Sequence, residues 1–398
     1  MTTDQTNTPK PVKKLSLRKR IVFSALATTV FFTLAECTFR VIELVYPPRN
    51  IDFGMGFDSN SRVFGPSRLH PDQLETDPAK RVSFVRQKFP IQKPAKTFRI
   101  VALGGSSVNY LEKEFNELER ELANASDRFD KVEIINCGGF AYGSHRLVVV
   151  MREMLEYSPD LILLYTGHNE FEEVEQLQLS GVKNIQFEKT ISSLAIVRFI
   201  RDRKADYELS KLEREHNQRV LSNVEPVSET NFARAWQHQF NEEDVAARMK
   251  HYEHNLRLIL SVADRNKTPV IIGTVSSNLL QPYLPQGSAA KYKQVYDLWK
   301  NEKTEEGLEL AKQILKDTVG RHQCSELENE IIRQLAAEFS LPLVDVESMV
   351  ADAEPNGIPG ETMFDDHCHL NRSGRAVWIK GYEPSIRAAL HAPISEPK

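Results

Sequence analysis

Five short β-rich runs alternate with helical stretches along most of this chain, and that alternation limits the fold more than any other feature. Phe98 to Leu103 ends in Gly104-Gly105-Ser106-Ser107 and leads into a helical stretch. Val132 to Ile135 precedes a helix from about Ser144 to Tyr157, and the pattern resumes at Asp160 to Tyr165, Pro269 to Ile272 and Leu341 to Val346. Strands separated by helices pair in parallel and are covered on both faces. The expected fold class is therefore α/β, a three-layer parallel sheet flanked by helices, with helical insertions and an N-terminal membrane helix.

The N-terminal expectation comes from the basic cluster Lys13, Lys14, Arg18, Lys19 and Arg20, followed by the uncharged stretch Ile21 to Ala35. Fifteen residues fall short of the roughly 20 needed to cross hydrocarbon, but Leu15 and Leu17 extend the run and the arginines can snorkel. A cleaved signal peptide is the rival reading. Ala25-Leu26-Ala27 has the A-x-A form but lies inside the apolar run, and Glu36 occupies the small-residue position that a lipoprotein needs before Cys37. An uncleaved single-pass anchor is favoured. Retention of positive charge in the cytoplasm would leave the bulk of the chain extracytoplasmic, in the periplasm of a bacterium-like cell.

The expected organisation is a cytoplasmic basic tail over 1–20, an anchor helix over 21–46 that stops at Pro47-Pro48, and a neck over 47–96. The remainder, 97–398, is one catalytic-type domain with helical insertions at about 180–266 and 288–339. The insertions are expected to cover the active edge of the sheet. Val295 to Leu315 reads as a single helical hairpin, too little for a solenoid. The 51 basic and 55 acidic residues leave a formal charge of -4, so no attraction to nucleic acid is expected. The four cysteines form no C-x-x-C pair, which argues against a zinc module; a bridge among Cys137, Cys324 and Cys368 stays open.

Four loops carry the chemistry. Ser106 follows two glycines at a strand end, where a tight turn and a helix start can present a nucleophile; alone, Gly-Gly-Ser is equally a turn. The glycine-rich stretch Asn136 to Gly143 can aim backbone N–H groups at an oxyanion. Tyr165-Thr166-Gly167-His168-Asn169-Glu170 offers the Asn169 amide as a further donor. Phe364 to Asn371 contains Asp366 and His369, three residues apart, so one turn lets the carboxylate orient the imidazole while its other nitrogen takes the Ser106 proton. A metal site is the rival for Asp-Asp-His-x-His, but it leaves Ser106 and Asn169 unexplained. His168 and His367 are rim or supporting groups, Asp365 competes with Asp366 for His369, and Asn278 is either a turn residue or a substrate contact, as His168 could also be.

These blocks, in this order, resemble the SGNH/GDSL hydrolase family, over about Phe98 to Leu390 without the insertions. Gly104-Gly105-Ser106 is similar to the family's Gly-Asp-Ser with glycine in place of the aspartate, and Asp366-x-x-His369-Leu370 is the most specific block. The resemblance implies Ser106 as nucleophile, His369 as general base and Asp366 as its orienter. The oxyanion hole would comprise Asn169, the Ser106 N–H and a loop N–H. The family's glycine donor falls on Ala141, with Gly138, Gly139 or Gly143 available if the loop is shifted. The implied activity is that of a serine esterase acting through an acyl-enzyme on an O-acyl ester, with O-acetyl groups of a cell-envelope polysaccharide as one candidate substrate. It requires no metal or organic cofactor. An O-acyltransferase using the same site and a non-catalytic glycan-binding or scaffold protein are the alternatives.

Overall fold

The computed structural model describes residues 16–45, 62–67, 69–81, 83–123, 125–177, 194–200, 203, 242–284, 286–360 and 362–392. The chain divides into two compact units, Met1–Asn50 with Ile185–Arg214, and Ile51–Asn184 with Glu215–Lys398. The first unit contains α1, Leu17–Val45, a helix long and apolar enough to cross a membrane. It begins four residues before the apolar run, since Leu17 to Arg20 are good helix formers and need no membrane to be helical. The helical stretch at 195–200 belongs to the same unit.

The second unit is built on the parallel sheet that the alternation predicts. Its strands are β4 (Thr97–Gly104), β5 (Lys131–Gly138), β6 (Leu161–Tyr165), β7 (Val270–Gly273) and β8 (Leu343–Val344), in the spatial order β5-β4-β6-β7-β8. Every pairing is parallel, beginning with Thr97 opposite Lys131 and ending with Gly273 opposite Val344. All of β4 and β6 is buried, as a sheet covered on both faces requires. The first parallel strand, β4, has the second on one side and the third on the other. The chain therefore reverses its direction of winding there, and the switch point falls between the carboxyl ends of β4 and β6, the usual place for a site in such sheets.

The neck contributes a small antiparallel sheet of β1 (Phe64–Pro66), β2 (Gln73–Thr76) and β3 (Lys88–Pro90). Between β2 and β3 the chain reaches the main sheet. Ser83 O accepts from Phe140 N at 3.0 Å and from Asn109 Nδ2 at 3.0 Å, and the Phe84 ring meets Tyr142 edge-on with centroids 4.9 Å apart.

Helices α2 (Ser106–Asn109) and α3 (Glu112–Leu122) follow β4, α4 (Ser144–Leu155) follows β5, and α5 (Glu170–Leu177) follows β6. The next described helix, α6 (Glu242–Arg265), packs against α4 and leads into β7. It is the crossover that parallel β6 and β7 need, so the expected insertion at 180–266 ends before it. Most of 193–219, a helical part of the insertion expected at about 180–266, lies outside the described residues. Between β7 and β8 come α7 (Gln286–Lys300) and α8 (Thr304–Asp317), then α9 (Glu326–Glu338). The α7/α8 hairpin has its own small core of Tyr292, Val295, Ala311 and Ile314, and α9 returns the chain to β8. Helices α10 (Val346–Ala353) and α11 (Arg372–His391) close the unit. Cys37, Cys137, Cys324 and Cys368 are all free thiols.

Candidate active site

Ser106 stands at the first turn of α2, directly beyond the carboxyl end of β4. The two glycines before it are required by close approach. A Cβ on Gly104 would lie 2.2 Å from Tyr165 O, and one on Gly105 would lie 2.5 Å from Asn169 Nδ2. Glycine in place of the acidic residue of Gly-Asp-Ser thus lets the Asn169 amide sit against the turn that carries Ser106. Among the described residues neither the Ser106 N–H nor the Ser107 N–H has a backbone acceptor, because no helical turn precedes them; the first bonds of the turn run from Val108 N and Asn109 N to Gly105 O.

The loop from Phe364 to Leu370 is pinched shut by an antiparallel bridge between those two residues. Within it Asp366 Oδ1 accepts from Cys368 N and His369 N, both at 2.8 Å, and Oδ2 lies 2.6 Å from His369 Nδ1. His369 Nε2 lies 2.7 Å from Ser106 Oγ. Burial raises the cost of charge on Asp366, but its hydrogen bond with His369, the His369 charge and the two N–H donors outweigh it and hold the carboxyl well below its usual range. Asp365 stands apart from His369's ring, with its carboxylate toward Arg375 at 3.8 Å. The Tyr110 ring packs edge-on against the His369 ring at 4.9 Å and lies 5.5 Å from the Phe140 ring, giving His369 an aromatic flank.

Asn169 gives one amide hydrogen to Tyr142 O at 3.1 Å, which orients the amide and leaves its second N–H for another acceptor. In the glycine-rich loop, the hydrogen-bond partners separate the possible donors. Gly138 N donates to Asn136 Oδ1 at 2.9 Å, Gly139 N to Gly104 O, Phe140 N to Ser83 O, Tyr142 N to Gly139 O and Gly143 N to Glu173 Oε1. Among the described residues, Ala141 N is the loop donor left without an acceptor. Ala141 has φ +58° and its carbonyl is held by Arg146 Nη1 at 3.0 Å. The N–H of Gly138, expected alongside Ala141 as a donor, is therefore taken by Asn136, while that of Ala141 is open.

Two other candidates have structural occupations. Asn278 is buried, donating through Nδ2 to Asp366 O at 3.0 Å and accepting from Gln281 N through Oδ1 at 2.8 Å. It is a strut under the Asp366 loop. His168 is buried too, and its Nδ1 accepts from Cys324 N at 3.1 Å.

A buried charge network escaped the sequence reading. Glu173 accepts from the N–H groups of Gly143, His145 and Arg146, and Glu170 from Ser144 N and Oγ, so two carboxylates cap the start of α4 beside the Ala141 loop. Arg248 of α6 pairs with both acids, and Glu170 is the residue after Asn169. Burial works against the charge of Arg248, but the two carboxylates overcome it and push its value up. The glycine loop and the Asn169 turn are thereby fastened to one another. The available signal was the acidic first turn of α5, Glu170, Glu172 and Glu173, directly after Asn169.

Three imidazoles are buried in neutral form. Burial, followed by the His369 and His367 charges, pulls His168 from 6.5 to about 3; burial and His367 pull His322 to about 3; burial and the Arg248 and Arg146 charges pull His145 to about 4. Between those values and 6.5 the unfolded chain binds more protons than the native one. Stability should therefore be complete above pH 6.5 and be lost progressively as pH falls toward 3. Thermal melts from pH 7 to pH 4 should show Tm falling with acidification, with a shallower fall in His168→Gln/His322→Gln. An unchanged slope in that variant would remove these two residues as its source.

No family model and no curated protein matches the chain. Solved structures similar to it include a GDSL-like lipase from Bacteroides thetaiotaomicron, with 13% identity, 75% of this chain and 92% of that one covered, and a TM-score of 0.39. An acetyl xylan esterase matches at 12% identity, 72% and 99% coverage and a TM-score of 0.39. An esterase of the SGNH-hydrolase family matches at 13%, 75% and 100% coverage and 0.31. The chain resembles the SGNH/GDSL hydrolases. At such identities and scores the likeness says nothing of chemistry, which is read from the residues of this chain.

If the open donors bind a developing oxyanion, each should contribute about 3 kcal/mol to the barrier. Asn169→Ala is then expected to lower kcat on an ester substrate by about 10²-fold with KM nearly unchanged. Ala141→Gly, which keeps the N–H and accepts φ +58°, should stay within about twofold of the parent. Steady-state kinetics of the two variants checks this; equal losses would contradict the assignment.

Proposed function

We propose that this chain is a membrane-anchored serine esterase that removes an acyl group from an O-acyl ester through an acyl-enzyme on Ser106. The observation that carries the reading is the imidazole of His369 bridging Ser106 Oγ at 2.7 Å and Asp366 Oδ2 at 2.6 Å. With its Nδ1 proton held by Asp366, His369 keeps Nε2 as a base. Nε2 takes the Ser106 proton as Oγ attacks the ester carbonyl. The oxyanion is received by the Ser106 and Ala141 N–H groups and the second N–H of Asn169. Collapse expels the alcohol, which leaves with the proton from His369. Water, deprotonated by the same nitrogen, then attacks the acyl-enzyme, and the acid departs as Ser106 regains its proton.

The substrate proposed is an O-acetylated polysaccharide of the cell envelope. Tyr110 and Phe140 beside the triad offer aromatic surface suited to the C–H face of a sugar. The basic residues Arg18, Lys19 and Arg20 precede the apolar part of α1, which favours the catalytic unit outside the cytoplasm, in the periplasm. The test incubates the detergent-solubilised full chain with p-nitrophenyl esters of increasing length and with O-acetylated glycan, following acid release. Release of acetate in preference to longer acids is the expected result. Acetyl appearing on an added sugar acceptor instead of in water would make the protein a transferase, and no turnover of any ester would end the enzymatic reading.

A further inference from the structure

The unit around α1 presents a difficulty for a membrane span and also its resolution. Ile21 to Ala35 is fifteen residues, about 22 Å at 1.5 Å per residue, against about 30 Å of hydrocarbon. Counted from Ile21, a full crossing takes in the next turns of α1, with the carboxylate of Glu36 inside it and that of Glu43 at its far edge. A bare carboxylate in that region is costly. Both are met by the same short segment. Glu36 accepts from Ala195 N at 3.0 Å and Ile196 N at 3.3 Å, as well as from Arg40 Nε at 2.9 Å. Glu43 takes a two-pronged contact from Arg198, Nε at 2.8 Å and Nη2 at 2.6 Å.

The helical stretch 195–200 thus points its otherwise unsatisfied first N–H groups at Glu36 and pairs its single charged side chain with Glu43. Phe199 packs on Phe39 with ring centroids 4.9 Å apart, so the segment lies along the last turns of α1. Its polar groups are turned inward to the carboxylates. Apolar side chains remain outside: Leu194 is 40% and Ile200 61% exposed, beside an α1 whose Val41 is 61% and Leu44 85% exposed. A short helix that hides its charge and presents leucine and isoleucine, fastened where an apolar span ends, has the character of an element lying in the membrane interface.

We propose that residues 194–200 form a second membrane contact, with lipid of the leaflet opposite the basic cluster covering Leu194 and Ile200. The inference rests on the anchor reading of α1. The segment completes the span by neutralising Glu36 and Glu43, and it fixes the stretch of chain between β6 and α6 to the membrane surface.

The experiment uses the full chain with Cys37→Ser, since the other three thiols are buried, and carries a single fluorophore on Phe31→Cys or on Ile200→Cys. Each protein is reconstituted into phosphatidylethanolamine/phosphatidylglycerol vesicles with or without lipids bearing a quencher at a shallow or a deep acyl position. Both probes should be quenched, position 200 at least twofold more by the shallow quencher than by the deep one, and position 31 more by the deep. Adding Arg198→Gln should at least halve the quenching at 200 and leave that at 31 unchanged. Quenching at 31 without quenching at 200 would overturn the second contact and spare the anchor. Quenching at neither position would overturn both. Shielding of position 200 from aqueous iodide without lipid quenching would give that face to a second copy of the chain and overturn the lipid assignment.

Discussion

Alanine at position 106 should lower ester turnover by about 10⁶-fold while leaving the fold in place, because the three residues act as a unit and loss of the nucleophile alone costs nearly as much as loss of all three. Ser106 Oγ makes its hydrogen bond to His369 Nε2. Its removal leaves no buried charge, so stability should move by little. Any residual rate would come from the open N–H groups and binding alone. Initial-rate measurements with an acetyl ester, with Tm as control, check both halves. A loss of only a few-fold would mean that another group attacks the ester.

Asp366→Asn is expected to lower kcat by about 10⁴-fold, with KM little changed. The carboxylate accepts three hydrogen bonds, from Cys368 N, His369 N and His369 Nδ1. An amide can accept the two backbone bonds with its oxygen, but it then turns an N–H toward Nδ1. His369 would be held in the opposite tautomer, with Nε2 protonated and unable to accept from Ser106. The neighbouring acid cannot replace it: Asp365 N donates to His369 O across the loop and its carboxylate is turned to Arg375. Asp365→Asn should therefore remain within a few-fold of the parent. The pair of variants, compared by kcat at neutral pH, separates the two acids, and equal losses would contradict the assignment of Asp366.

The sheet and the meeting of Asp366 with His369 were legible because they depend on local signals. Apolar runs ending in turn residues mark where strands deliver their loops, and Asp366 and His369 are close enough for one turn to join them. Ser106 required the fold, since it is 263 residues from His369, but the order of the blocks was enough to pair them. The glycine-rich loop was legible only in part. Gly138 and Ala141 look alike as donors in sequence; what divides them is that the Asn136 side chain takes the Gly138 N–H, while the neck at Ser83 and the acid Glu173 take others.

Long-range burial hid the rest. Glu170 and Glu173 read as an acidic helix start, and only the approach of Arg248, more than seventy residues later, turns them into a brace under the loop. In such a network removal of one partner costs about 3–5 kcal/mol, so it has the weight of a core element without a hydrophobic signature. Asn278 was ambiguous for the same reason, its amide being occupied by Asp366 O and Gln281 N. The helical periodicity of Glu242–Arg265 was visible, but its role as the crossover into β7 follows from the pairing of β6 with β7.

The central claim, that Ser106 is a nucleophile activated by His369, is tested most directly by covalent labelling. The full chain is treated with a fluorophosphonate, digested, and the phosphonylated peptide located by mass spectrometry. The account predicts one adduct, on Ser106, absent from Ser106→Ala and strongly slowed in Asp366→Asn. An adduct on another residue, or equal labelling of the parent and Ser106→Ala, would contradict it.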